Sequence, residues 1–144
     1  MAQIDQLKDL AQDTYDTLEA YRRAHEMAES PALKQTLERR ISERTQTVNT
    51  LNSALEDYGK PTVDDTSAST QAADMLRAIA SAFVDGDEAA AHRIEKAETD
   101  LCERYEDALK SDGLDTAMRL TIEKAAREVR EGESFSHVLE RQYG

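Results

Sequence analysis

A single cysteine, Cys102, is all the thiol chemistry in this sequence of 144 residues. One thiol excludes an internal disulfide framework and fits a reducing compartment, so a cytoplasmic protein is expected. Cys102 follows Leu101 in an otherwise polar stretch, which points to packing rather than reactivity. Long apolar runs are missing too. A stretch of about eighteen apolar residues occurs nowhere, and Met1 to Leu10 carries Asp5, Lys8 and Asp9 where a signal sequence needs an unbroken apolar segment. A soluble, unexported chain with no membrane partner is expected. Basic residues are scarce, 18 against 30 acidic for a net charge of -12. Phosphate-backbone binding needs clustered Lys and Arg, so no nucleic-acid partner is expected. There is no glycine-rich phosphate loop and no Cys–His or Ser–His spacing with a third orienting group. No catalytic residue is identified, and the chain is expected not to be an enzyme.

Helical periodicity is what the sequence has in abundance. The first helix reads from about residue 2 to 29, with Ile4, Leu7, Ala11, Thr14, Leu18, Tyr21, His25 and Ala28 stepping by three and four. Ser30-Pro31 is a start signal for a second helix over about 31–58, because Ser caps orphan amides and Pro is harmless at the first helical position. Its seam runs Leu37, Ile41, Arg44, Val48, Leu51, Leu55 and Tyr58, and stops at Gly59 ahead of Pro61. Residues 59–70 are Gly, Pro, Asp, Ser and Thr with little apolar except Val63, which reads as a surface crossover. A short extra helix is expected over 71–84, a third long helix over 87–111 with the seam Ala91, Ile94, Glu98, Leu101, Tyr105 and Ala108, and a last helix over 114–142. In that last helix Ala125, Gly132 and Ser136 leave room for a close neighbour. The chain has room for one domain with a real core. Its expected fold is all-α, a ferritin-like four-helix bundle of two antiparallel hairpins joined by a long crossover containing the short helix. A plain up-down order with residues 71–84 as a fifth, partial element is the alternative.

Arg44 and Glu98 interrupt two of these seams near the helix midpoints. A charge at a core position costs several kcal/mol unless something pairs with it. Hairpin centres near Ser30 and Asp112 put Arg44 level with Tyr15 and Asp16, and Glu98 level with Arg127 and Glu128. Asp16, Glu19, Glu43, Arg44, Glu95, Glu98, Arg127 and Glu128 therefore form a candidate ionisable layer at mid-height, with Arg44, Glu98, Asp16 and Arg127 as candidates for a structural ion-pair network. A dinuclear metal centre in such a bundle takes about four carboxylates and two imidazoles, with Glu-x-x-His on two helices. That spacing is absent: His25 lies near a bundle end, His92-x-x-Glu95 runs in reversed order, and Glu133 and His137 form an i, i+4 pair away from the middle.

The run Asp16-Thr17-Leu18-Glu19-Ala20-Tyr21-Arg22-Arg23-Ala24, the Glu43-Arg44 step, the Leu55 to Pro61 loop with Gly59, and Glu95-x-x-Glu98 followed by Tyr105-Glu106-Asp107-Ala108-Leu109 resemble a bacterial ferritin-like four-helix-bundle family of unknown function, of the DUF2383 type. The resemblance covers nearly the whole chain. It implies the fold and a general stress setting, with Asp16, Glu19, Glu43, Glu95 and Glu98 at the family's recurrent acidic positions. The chain departs from the pattern in having no tryptophan after the crossover and Thr17 where glycine is common.

Two functions fit these residues. In the first, a non-catalytic bundle without a cofactor works through its surface, by forming a homodimer or by meeting another protein, and the charged layer serves structural specificity. In the second, Glu19, Glu43, Glu95 and Glu98 form an all-carboxylate metal site, with iron or manganese as the cofactor and Arg44 behind it.

Overall fold

A computed structural model of the chain describes residues 2–64 and 86–144. Within them the backbone forms four helices, α1 (Ala2–Met27), α2 (Pro31–Asp57), α3 (Gly86–Leu109) and α4 (Thr116–Tyr143). The expected short helix over 71–84 lies outside the described residues. At about 1.5 Å per residue each helix is roughly 40 Å long.

Local chemistry sets the helix ends. Ser30 caps α2 through its side-chain oxygen, which accepts from Leu33 N at 3.3 Å, with Pro31 in the first turn. α2 closes with the paired hydrogen bonds of a Schellman turn, Gly59 N to Glu56 O at 2.9 Å and Lys60 N to Leu55 O at 2.9 Å. Gly59 takes φ 70 to make them, a conformation that a side chain resists. The turn after α1 starts earlier than periodicity suggests. Glu29 N and Ser30 N are both drawn to the Asp87 carboxylate, at 2.7 and 3.2 Å, so the helix ends at Met27 and the turn is tied to the start of α3. α4 begins at Thr116 rather than 114, because Asp115 is its cap and accepts from Met118 N at 2.8 Å. α3 ends at Leu109 rather than 111, where Arg119 reaches across to donate to Leu109 O and Ser111 O at 2.9 and 3.0 Å.

Cross-helix contacts give the topology. Thr14 meets Tyr105, Tyr21 meets Glu98 and Glu29 meets Asp87, so α3 runs antiparallel to α1. Asp115 meets Gln3, which places the α3–α4 turn beside the start of α1. The order is therefore up, down, down, up. α2 ends at the opposite end of the bundle from the start of α3, and the connection between them must span its length. This is the ferritin-like arrangement, not the plain up-down alternative.

Val63 departs from the surface role expected of it. It is buried in the core, and the Asn52 side chain clasps its backbone, with Asn52 Nδ2 donating to Val63 O at 2.9 Å and Val63 N donating to Asn52 Oδ1 at 2.8 Å. The first crossover residues thus fold back against α2. Replacing Asn52 with Ala removes both bonds and leaves buried backbone groups without partners, so a loss of about 1–3 kcal/mol is expected in urea unfolding followed by circular dichroism.

Candidate functional site

Two apolar clusters fill the bundle, one towards each end. The lower contains Leu7, Leu51, Leu55, Leu101, Met118, Ile122 and Val129, and the upper contains Tyr21, Leu33, Leu37, Ala91, Ile94 and Leu139. Between them lies a charged layer, centred on Arg44 and Glu98, which are both 0% exposed. A guanidinium has five N–H donors and no acceptor. All five of Arg44's are used: Nε on Glu128 Oε1 at 2.7 Å, Nη1 on Thr17 Oγ1 at 2.6 Å and Glu98 Oε1 at 2.7 Å, Nη2 on Glu98 Oε2 at 2.6 Å and Glu128 Oε2 at 3.1 Å. The bond to Glu98 is bidentate, the geometry in which Arg binds a carboxylate best. Tyr21 adds a hydroxyl donor to Glu98 Oε2 at 2.9 Å, and its ring lies 5.5 Å from the Arg44 guanidinium carbon.

A second arginine closes the layer. Arg40, one turn before Arg44 on α2, donates through Nη1 to Glu43 Oε2 at 2.6 Å and through Nη2 to the Glu128 carboxylate and to Glu128 O. Two buried cations thus face the buried Glu98 and the part-buried Glu128, with Glu43 on the flank. Every helix contributes: Thr17 and Tyr21 from α1, Arg40 and Arg44 from α2, Glu98 from α3, Glu128 from α4. Space for the pair comes from Gly132. A Cβ there would meet Glu98 Oε2 inside contact distance, Arg44 Nη2 at 2.7 Å and Arg40 Nη2 at 2.9 Å. One turn below, Thr14 Oγ1 and Tyr105 Oη, 2.7 Å apart, continue the polar seam into the lower core.

Electrostatics follow from the geometry. Burial alone would lower the Arg44 pKa, but the Glu98 and Glu128 carboxylates outweigh it and hold the guanidinium well above its usual value. Burial likewise would raise Glu128, yet Arg44, with hydrogen bonds from Arg44 and Thr47, holds its carboxyl below the ordinary range. Burial, then the neighbouring Glu98, pushes the Tyr21 hydroxyl far up, so it stays a neutral donor. The layer is not equally closed on all sides. Between α2 and α4 an open cleft of about 230 Å³, lined by Glu43, Thr47, Lys124 and Glu128 among others, brings solvent to the Glu128 side.

The structure brings together only part of the expected layer. Arg44, Glu98 and Glu128 converge, and Glu43 joins through Arg40. Arg127 is exposed, and half-buried Asp16 accepts from Gln12 Nε2 at 3.0 Å away from the pair. Their immediate neighbours Glu128 and Thr17 take the inward places. The four carboxylates offered as metal ligands are dispersed: Glu98 is bound by Arg44, Glu43 by Arg40, Glu19 by Arg22, and Glu95 by His137 across the α3–α4 seam. Among the described residues no three His, Cys, Asp or Glu side chains converge on one point. Arg40, Tyr21 and Thr17 were not singled out for this layer, although Arg40 falls one helical turn from Arg44 and so on the same face. Cys102 is buried, and burial together with Glu133 and Glu106 pushes its thiol up to about 11, the setting of a packing residue.

Gly132→Ala forces the pinned ends of Glu98 and Arg44 apart, so it is expected to cost about 1–3 kcal/mol. Gly113→Ala is the control, since a Cβ there meets only Ser111 Oγ at 3.9 Å and stability should hold. Thermal unfolding of both variants checks this. Glu128 also sets an acid dependence. Its folded pKa is lowered, so its contribution is complete above the unfolded value near 4.5 and is lost as pH falls through the folded one. The stability gap between wild type and Glu128→Gln should therefore be widest near pH 7 and shrink steadily from about pH 4.5 downward, as urea titrations at stepped pH would show.

Comparison with known proteins adds the lineage of this bundle. Among curated proteins no match is found. A crystal structure of a conserved hypothetical protein, rv2844, from Mycobacterium tuberculosis is similar, with a TM-score of 0.74 over 96% of both chains. At 12% identity that likeness shows the fold alone. The model of the family described as Domain of unknown function (DUF2383) matches residues 2–111, most of the chain, and the protein belongs to that family.

Proposed function

We propose that the protein is a non-catalytic helical bundle that works through its outer surface, by self-association or with another protein, and whose mid-height layer is a structural ion-pair network. The observation that carries this reading is the fully engaged Arg44 guanidinium, buried between Glu98 and Glu128 where a ferritin-like bundle has room for a cation of another kind. The residues present do not fit a dinuclear metal centre. The imidazoles such a centre needs are absent from the layer, and an arginine side chain occupies the space between its two central carboxylates. Every donor on Arg44 is satisfied within the chain, which supports a structural rather than a chemical part for the pair. What it supplies is register, because one mispaired helix would leave a charge buried without a partner.

A mutant series tests the reading. Arg44→Met strands Glu98 in the core and should cost roughly 3–5 kcal/mol, whereas Arg44→Met with Glu98→Leu should recover most of that loss. A silent single variant would remove the support for a structural network. The second check is aerobic ferrous iron: oxidation no faster than in buffer is expected, and oxidation that disappears in Glu98→Gln would overturn the non-catalytic reading.

A further inference from the structure

Away from the mid-height layer, each of the chain's three histidines faces a carboxylate on the helix beside it. His25 Nε2 lies 3.0 Å from Glu38 Oε1 between α1 and α2. In the α3–α4 seam His92 Nδ1 lies 2.8 Å from Glu140 Oε1, and His137 Nδ1 lies 3.1 Å from Glu95 Oε2. The seam has an internal pattern, since Glu88, His92 and Glu95 on α3 share their spacing with Glu133, His137 and Glu140 on α4. Antiparallel packing then pairs each histidine with the last carboxylate of the opposite helix.

His92 differs from the other two at its second nitrogen. His92 Nε2 faces Glu88 Oε1, one turn back on its own helix, at 3.5 Å. That is long for a hydrogen bond. It is the separation expected of two ligands on one tetrahedral ion, because donors about 2.1 Å from zinc stand about 3.4 Å apart. At the other nitrogen Glu140 sits where a carboxylate orients a metal-bound imidazole and fixes its tautomer. Glu140 keeps one oxygen, Oε2, buried with no hydrogen-bond partner among the described residues. At His137 the equivalent carboxylate, Glu133, makes no such contact among the described residues, and that imidazole is paired with Glu95 alone.

We propose that Glu88 and His92 bind a divalent transition-metal ion of the zinc class, with Glu140 orienting the imidazole and water completing the shell. One imidazole and one carboxylate suit zinc, cobalt or nickel better than calcium or magnesium. Two protein ligands make an open site, consistent with no three donors converging among the described residues. The ligands are accessible, with side-chain exposures of 54% for His92 and 41% for Glu88. A net charge of -12 raises the local concentration of cations at such a surface. The site lies near the start of α3 and is independent of the arginine layer.

Zinc titration calorimetry on the full chain, in a non-chelating buffer at neutral pH, tests the site, with circular dichroism confirming that each variant is folded. One equivalent of zinc should bind to the wild type. His92→Ala and Glu88→Gln should each weaken binding by at least about tenfold, and Glu140→Gln by about tenfold through loss of orientation. His25→Ala and His137→Ala should leave it unchanged. Absence of zinc binding by the wild type, or binding unaltered in His92→Ala, would overturn the site. Equal loss in His92→Ala and His137→Ala would overturn the Glu88–His92 chelate in favour of an ion spanning the seam.

Discussion

Desolvation of one guanidinium governs this bundle. Arg44 is stripped of water at mid-height, and a bare cation in such surroundings costs far more than a small domain's whole stability margin. The cost is met only when two carboxylates, a threonine hydroxyl and an aromatic face arrive together from the three other helices. Leucine seams would tolerate a helix sliding by a turn, because apolar contacts are non-directional. Five directed N–H bonds would not. The two apolar clusters on either side of the layer supply most of the favourable burial, and the layer selects the one register in which that burial is available.

Gly132 shows how far the surrounding sequence is fitted to that cation. Mid-helix glycine costs about 0.5–1 kcal/mol relative to alanine, so its place on the inner face of α4 calls for a compensating gain. The gain is volume: the space a methyl group would take holds the meeting point of Glu98, Arg44 and Arg40. Small residues on a helix face usually let a neighbouring backbone come close. Here the backbone recedes so that three long charged side chains can meet in front of it.

Some of this was legible in the sequence. Arg44 and Glu98 announce themselves by interrupting heptads, and midpoint alignment brings both to one level whatever the topology. The same alignment points to the Arg127–Glu128 step and to Asp16; the structure uses Glu128 from the first and Thr17 in place of the second. Counting residues from a turn fixes height along a helix to about one residue, but each residue also turns the face by about 100°, so an error of one exchanges an inward side chain for an outward one. Arg40 was harder to see. It lies off the apolar seam, and its long stem carries the charge inward from there. Helix ends moved for a related reason: Asp87 and Arg119 satisfy terminal backbone groups of other elements, contacts that no local pattern encodes, whereas Asp115 caps its own helix. Val63 reads as loop by composition and becomes core through Asn52, a partner set by tertiary folding.

The layer also divides the molecule's chemistry between inside and outside. Two arginines against Glu98 and the part-buried Glu128 leave no net charge at the centre, so among the described residues the excess acidity lies towards the surface and the ends. A ferritin-like bundle can hold exchangeable cations at its middle, but only if its central carboxylates are not already bound by the chain itself. In this chain they are, and the bound cation is covalently part of α2. The polar groups best able to take up and release an external ion or partner are then the peripheral ones, the histidine–carboxylate rungs along the helix seams and the solvent-facing edge of Glu128 in the α2–α4 cleft. Both the proposed surface role and the proposed peripheral site rest on the same residue: with Arg44 filling the core between Glu98 and Glu128, the centre of the bundle is already occupied by the chain itself.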